Sequence, residues 1–202
     1  SYKIVAGVLA LGVPTSIIGI ILILKHALPL NEYQYKRIYS WLQPSKYADD
    51  AYQQQNSIMA IGSGQLWGKG LNNSSIASMK NGNFISEPQT DFIFAVVGEE
   101  LGFIGCVIVI VLLLLIVFEC ILIAKNAKDL GGRLICCGMA ALIGFQSFIN
   151  ICVTTGLMPN TGLPLPFVSY GLTSLMSLFI GLGLVLNVGL QARKYHGLGD
   201  IE

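Results

Sequence analysis

The carboxylate of Asp91 is the first candidate for chemistry in this sequence. Asp91 follows Thr90 and is the last charged residue before an apolar stretch that begins at Phe92. Thr and Asp both cap helix N-termini, and a carboxylate suits the positive end of a helix dipole. A carboxylate at such a boundary could instead accept a proton as a general base. Both interpretations are open from the residues alone.

A glycine-rich segment, Ile61–Gly70, is the second candidate. Glycine lets the backbone approach another group closely, and backbone N–H groups beside a lysine can hold a phosphate. The segment could therefore contact a substrate or phosphate through Ser63, Gly68, Lys69 and Gly70. It lacks the P-loop order and follows no predicted strand. The residues alone therefore favour a tight loop without a ligand.

Polar residues inside apolar stretches form the third group. Glu99 and Glu100 lie about two and a half helical turns beyond Asp91, or roughly 12–14 Å at 1.5 Å per residue. An unpaired carboxylate in a bilayer costs several kcal/mol, so both are predicted to be buried against protein or water, as structural anchors or functional groups. Gln146 and Asn150, spaced i, i+4, predict an interhelical polar contact.

The composition predicts a chain whose solvent is lipid. Its hydrophobic share is 53%, its charged share is 11% and its mean hydropathy is +0.67. A net charge of +1 without any block of like charges argues against a nucleic-acid partner. The five cysteines show no metal-binding or disulfide spacing and read as small hydrophobes.

The apolar runs predict an all-α integral membrane protein of about four transmembrane helices in a single membrane domain, 1–202. The first run follows Ser1–Lys3 and reads as a retained helix rather than a cleaved signal. Residues 134–192 hold no charged residue or histidine and are too long for one crossing, so the prolines and glycines of 156–166 divide them. The predicted spans lie near residues 4–24, 92–124, 134–155 and 167–190.

Charges near the helix ends predict the orientation. Lys125, Lys128 and Arg133 lie between two spans, and Arg193 and Lys194 follow the last. Short cytoplasmic loops carry an excess of Lys and Arg, so both termini are predicted to be cytoplasmic. Residues 26–91 then form a large extracytoplasmic loop, whose aromatic residues predict short interfacial helices near 35–42 and 52–61.

Several motifs together resemble the SEDS family, which includes RodA, FtsW and SpoVE. The order and spacing of the motifs and the predicted topology agree over nearly the whole chain. The resemblance covers only the C-terminal four membrane helices of that family. The motifs are SIMAIGSG at 57–64, GKG at 68–70, TDFIFAVVGEELGF at 90–103, Asn150, and TGLPLPFVSYG at 161–171.

The resemblance implies a peptidoglycan glycosyltransferase of the bacterial plasma membrane. Such an enzyme polymerises undecaprenyl-linked lipid II, beside a class B penicillin-binding protein that cross-links the glycan. The essential loop aspartate of the family corresponds to Asp91, which would deprotonate the acceptor hydroxyl as lipid pyrophosphate leaves the donor. Thr90 and Glu87 become substrate contacts beside it. Lys69 or a divalent cation, Mg²⁺ or Mn²⁺, would offset the phosphate charge.

Two departures from the family pattern accompany this resemblance. Residues 86–89 read Ser-Glu-Pro-Gln where the family usually carries Pro-Glu-x-His, so no imidazole is available there. Leu172 replaces the usual second glycine after Ser-Tyr-Gly. Because the resemblance covers only four membrane helices, residues 1–202 alone are not expected to complete a groove for a long lipid.

Two other functional classes fit the same sequence. Carboxylates and glycines within the predicted spans would also suit a lipid II flippase. A non-catalytic scaffold for a penicillin-binding protein is the third possibility. Glycan polymer, lipid transfer across a bilayer, or binding without either would distinguish the three.

Overall fold

The structure, a computed structural model, describes residues 31–71 and 90–199. These residues form helices and irregular connections, with no strand among them. The predicted span at 4–24 lies outside the described residues, as do parts of the predicted 26–91 loop. The five described helices are α1 (Glu32–Leu42), α2 (Ala48–Gly64), α3 (Ile93–Asn126), α4 (Leu130–Thr154) and α5 (Leu172–Gly199).

The prediction of an all-α integral membrane protein is confirmed. Within the described residues, three helical stretches are long and apolar enough to cross a membrane, and they correspond to the predicted second, third and fourth spans. The stretches are Ile93–Asn126, Leu130–Thr154 and Leu172–Gln191. The last begins later than predicted because residues 161–171 are irregular, as expected for a segment with Pro164 and Pro166.

The chain divides into two compact units, Ser1–Asp50 and Ala51–Glu202. In the first unit, α1 begins after Asn31, whose backbone N–H donates to the Gln34 side chain at 3.2 Å. Tyr39 stacks on Tyr35 within the helix and on Tyr47 beyond it. This helix and α2 overlap the helices predicted near 35–42 and 52–61 and are longer, and their interfacial position stays a prediction.

In the second unit, α3 and α4 form an antiparallel pair. The connection between them is only Ala127–Asp129, and the Asp129 carboxylate accepts a hydrogen bond from Gly132 N at 3.0 Å to cap α4. Small side chains let these helices and α5 approach closely. The buried cluster that results is Cys120, Ala124, Cys136, Ala140 and Val185.

Large apolar side chains remain exposed along all three long helices, as expected where lipid is the solvent. Examples are Leu114 and Phe118 on α3, Phe145 on α4 and Phe179 on α5. Polar side chains are instead concentrated at the end of the bundle where α3 begins and α4 ends. That end is where the candidate site lies.

Candidate functional site

Asp91 lies immediately before α3, one residue ahead of the N-cap position. The N-cap residue is Phe92, whose side chain offers no hydrogen-bonding group. The Phe92 ring is 2% exposed and packs with Val153, Ile149 and Met158 near the end of α4. Asp91 itself is half-buried. The buried Phe92 therefore follows a residue, Asp91, that stays partly exposed.

Asn150 and Ser169 hold the backbone of this segment. The Asn150 Nδ2 group donates to Asp91 O at 2.8 Å and to Leu163 O at 2.7 Å. Ser169 Oγ donates to Thr90 O at 2.6 Å and accepts from Leu165 N at 2.7 Å. Both side chains are buried. The segment before α3 is thus tied to α4 and to the connection between α4 and α5.

That connection is itself held by polar side chains. Gln146, one turn before Asn150, donates from Nε2 to Pro164 O at 3.0 Å. The predicted polar contact of Gln146 and Asn150 is therefore present, but it joins α4 to irregular segments rather than to another helix. Polar side chains suit irregular segments because the backbone carbonyls of such segments lack the N–H partners that a helix provides.

The second half of α2 supports the same end of α4. Gln54 Nε2 donates to Val153 O at 2.8 Å and to Met158 O at 2.7 Å. Ser57 Oγ donates to Thr154 O at 2.9 Å. These bonds satisfy carbonyls where α4 ends. No sequence motif pointed to Gln54, whereas Ser57 opens one of the family motifs.

The glycine-rich loop after α2 packs against a break in α3. Gly102 adopts φ 68° and ψ −165°, which interrupts the helix. Around this break Lys69 N donates to Glu99 O at 2.9 Å and Gly70 N to Glu100 O at 3.1 Å. In return, Phe103 N donates to Gln65 O at 2.8 Å, and a longer bond of 3.3 Å joins Ile104 N to Leu66 O.

The backbone of this loop therefore favours the tight-loop alternative over a phosphate nest. The N–H groups of Lys69 and Gly70 donate to α3, and Gly68 N donates to Gly64 O at 2.8 Å. A Cβ on Gly68 would lie 2.2 Å from Glu100 O, so the close approach requires glycine. The group that these glycines approach is the broken helix. A substrate contact through the Lys69 side chain stays a prediction.

The two predicted intramembrane carboxylates differ in their surroundings. Glu99 is 1% exposed, and its Oε1 lies 2.9 Å from Lys69 Nζ. The prediction that Glu99 is buried against a protein partner is confirmed. Glu100 is only half-buried. Both precede Gly102, where the helix that corresponds to the predicted span 92–124 is interrupted.

The remaining predicted site residues are dispersed. Ser63 is exposed and donates from Oγ to Ala60 O at 2.8 Å within α2. Thr90 is half-buried, next to Asp91, and Glu87 lies outside the described residues. Within residues 31–71 and 90–199, no group of three or more His, Cys, Asp or Glu side chains could hold a metal. The Mg²⁺ or Mn²⁺ ion stays a prediction.

Comparisons with known proteins all point to the FtsW, RodA and SpoVE proteins. A family model for FtsW, RodA and SpoVE, described as cell cycle protein, matches residues 2–194. Stage V sporulation protein E of Bacillus subtilis strain 168 is 41% identical over 162 residues, covering 80% of this chain and 43% of that protein. A probable peptidoglycan glycosyltransferase FtsW of Geobacter sp. strain M18 is 39% identical with the same coverage.

A solved structure is also similar. It is described as showing structural coordination of polymerization and crosslinking by a peptidoglycan synthase complex. One of its chains aligns with a TM-score of 0.60 and 30% identity, over 94% of this chain and 49% of that one. The chain thus spans less than half the length of the relatives it matches.

Proposed function

We propose that this chain, which belongs to the FtsW/RodA/SpoVE family of cell cycle proteins, contributes the catalytic base of a peptidoglycan glycosyltransferase. The relatives named for this activity support the reaction class. The substrate would be undecaprenyl-linked lipid II. The protein would act in the bacterial plasma membrane, with both termini cytoplasmic.

The observation that carries the proposal is the placement of Asp91. Asp91 is half-buried at one end of the helix bundle, on a segment that the buried side chains of Asn150 and Ser169 hold. A general base needs a fixed position and access to the proton it accepts. Asp91 would take the proton of the acceptor hydroxyl as that oxygen attacks the anomeric carbon of the donor. Lipid pyrophosphate would then leave.

The charge on the leaving pyrophosphate requires a cation. Lys69 is the candidate within the described residues, and its ammonium group already pairs with Glu99. Its ammonium charge would also act on a phosphate oxygen of the leaving group. A divalent ion held by Asp91 and the substrate is the other candidate. Thr90 and Glu87 would contact substrate beside Asp91.

The partner would be a class B penicillin-binding protein. The similar solved chain belongs to a complex described as coordinating polymerization with crosslinking, which supports this assignment.

A lipid II flippase is the alternative function. The ion pair of Glu99 with Lys69, built into a backbone contact, supports a structural role for that carboxylate rather than an exchanging one.

The test is polymerisation of purified lipid II by the complete gene product that carries these residues. We expect Asp91→Asn to fold, to reach the membrane and to bind its partner, yet to make no glycan. The reason is that Asn preserves size but cannot accept the proton. Asp129→Asn is the matched control, because Asn can still cap α4 at the opposite end of the bundle.

Three products separate the functional classes in the same preparation. Glycan that depends on Asp91 supports the enzyme. Lipid II that crosses a vesicle bilayer without polymer supports the flippase, and partner binding with neither activity supports the scaffold. Near-normal polymerisation by Asp91→Asn would show that Asp91 is not the base.

A further inference from the structure

Residues 90–92 need external support because they precede the first turn of α3. Phe92 is the N-cap, so Asp91 lies outside the helical hydrogen-bond ladder. Backbone carbonyls in such a segment must find donors elsewhere. Two consecutive carbonyls here, those of Thr90 and Asp91, accept from Ser169 and Asn150.

The Asn150 carboxamide is oriented unambiguously by its neighbours. Its two N–H bonds point at the carbonyl oxygens of Asp91 and Leu163. The flipped amide would aim an oxygen at two other oxygens. Asn150 is 1% exposed, and its Oδ1 atom accepts no hydrogen bond from the described part of the chain. An unsatisfied buried acceptor costs stability, and the two donated bonds offset that cost by satisfying carbonyls outside a helix.

Ser169 completes the arrangement from the α4–α5 connection. Its hydroxyl donates to Thr90 O and accepts from Leu165 N, so it uses both its donor and an acceptor position. Asn150 bonds Leu163 in the same connection. Each side chain therefore links the segment before α3 to residues 163–165. The two bonded carbonyls belong to consecutive peptide units, which flank the Cα atom of Asp91.

We infer that Asn150 and Ser169 are positioning residues that fix the carboxylate of Asp91 through its backbone. The inference rests on the proposed function of Asp91. Both side chains contact the main chain and neither is proposed to touch substrate. A displacement of about 1 Å at a catalytic group can lower the rate about 100-fold, so loss of either tie should affect turnover rather than binding.

Gln146 supplies a matched control on the same helix. It is one turn from Asn150 and donates to Pro164, which lies between the two residues that Asn150 and Ser169 hold. Gln146 has no described bond to Thr90 or Asp91. Gln146→Ala therefore removes a comparable tie to the connection while leaving both direct ties to the segment before α3.

The kinetic experiment uses the complete gene product with purified lipid II. For Asn150→Ala and Ser169→Ala we expect kcat to fall about tenfold to a hundredfold, with KM within about twofold. Ser169→Thr keeps the hydroxyl and should restore most of kcat. Gln146→Ala should stay within about threefold of the parent. Unchanged kcat in both Ala variants, or an equal loss in Gln146→Ala, overturns the inference.

A chemical probe tests the same inference without activity. In a background with all native cysteines replaced by alanine, Asp91→Cys is labelled with a water-soluble thiol reagent. We expect Asn150→Ala and Ser169→Ala each to raise the labelling rate at least threefold, and Gln146→Ala to leave it unchanged. Only variants that retain the parent's elution profile in detergent are compared.

The two readouts separate the possible failures. A labelling response in a protein whose Asp91→Asn variant remains active supports the positioning of residue 91 and overturns the proposed function. An inactive Asp91→Asn variant without any labelling response supports the proposed function and overturns the inference.

Discussion

At the scale of single residues, the pair of Lys69 and Glu99 shows how a carboxylate is retained inside this protein. The Glu99 side chain is 2% exposed and the Lys69 side chain is 28% exposed. The two ends of the ion pair therefore have unequal access to water. Removal of either partner should have unequal consequences, because a charge left in the interior is more costly than one that can reach solvent.

Lys69→Met should destabilise the protein more than Glu99→Gln does. The lysine variant leaves a buried carboxylate without its ammonium, a change that costs about 3–5 kcal/mol. The glutamine variant retains a hydrogen-bond acceptor and leaves a lysine that is partly exposed, so about 1–2 kcal/mol is expected. Thermal unfolding in detergent measures the difference.

Lys69→Arg is the control for charge at this position. Because it keeps a cation within reach of Glu99, it should retain most of the stability lost in Lys69→Met. Equal unfolding temperatures for Lys69→Met and Glu99→Gln would contradict the asymmetry. In that case the ion pair would contribute to stability as an ion pair on the protein surface does.

At the scale of elements, periodicity and length were enough to predict the long helices but not the break in α3. Runs of apolar residues and the short polar connection at 127–129 determine where α3 and α4 lie. The break at Gly102 depends on Gln65–Gly70, which are distant in sequence and supply carbonyls and N–H groups to the interrupted helix. A glycine within an apolar run does not by itself distinguish a tolerated helical residue from a break.

Gly102→Ala should destabilise the protein by more than about 2 kcal/mol. Its φ of 68° with ψ of −165° belongs to a region that essentially only glycine adopts. A Cβ there would also lie 2.4 Å from Gly68 N and 2.6 Å from Leu66 O, which are backbone atoms and cannot rotate away. Thermal unfolding and protease resistance of the loop report the loss.

Gly138→Ala on α4 is the matched control. A Cβ at that helical position meets nothing within 4 Å. Alanine favours a helix by about 1 kcal/mol over glycine, so the variant should be as stable as the parent or slightly more stable. If Gly102→Ala were equally harmless, α3 would have to continue without the break.

At the scale of the whole molecule, the site residues were easier to predict than the contacts that hold them. Sequence motifs were enough to single out Asp91 and Asn150, and Asn150 was expected to form an interhelical polar contact. That Asn150 contacts the backbone of Asp91 could not be predicted, because 59 positions separate the two residues. Pairing across that distance depends on how α3 and α4 pack, which side-chain patterns do not specify.

The packing of α3 and α4 also bears on membrane orientation. Asp91 precedes α3 and contacts Asn150 near the end of α4, whereas the connection Ala127–Asp129 lies at the other end of the pair. From Phe103 to Asn126 the helix has 24 residues, or about 36 Å, which exceeds the hydrocarbon core of about 30 Å. The two ends of the pair should therefore lie on opposite sides of the membrane.

The basic residues decide which side is which. Lys125, Lys128 and Arg133 flank the short connection, and short loops rich in Lys and Arg stay in the cytoplasm. We therefore expect Leu71→Cys, which replaces an exposed residue, to react with a membrane-impermeant maleimide in intact cells. Lys128→Cys should react only after the membrane is permeabilised. Both variants are made in a background with the native cysteines replaced by alanine.

Labelling of each site in permeabilised cells is the control that both thiols are reactive. With that control satisfied, labelling of both sites in intact cells would contradict the orientation, and so would protection of both. Reaction of Lys128→Cys alone would place Asp91 on the cytoplasmic side. Because lipid-linked acceptors would polymerise only on the outer side, that result would also remove the proposed base from its substrate. The labelling pattern therefore tests the topology and the proposed chemistry together.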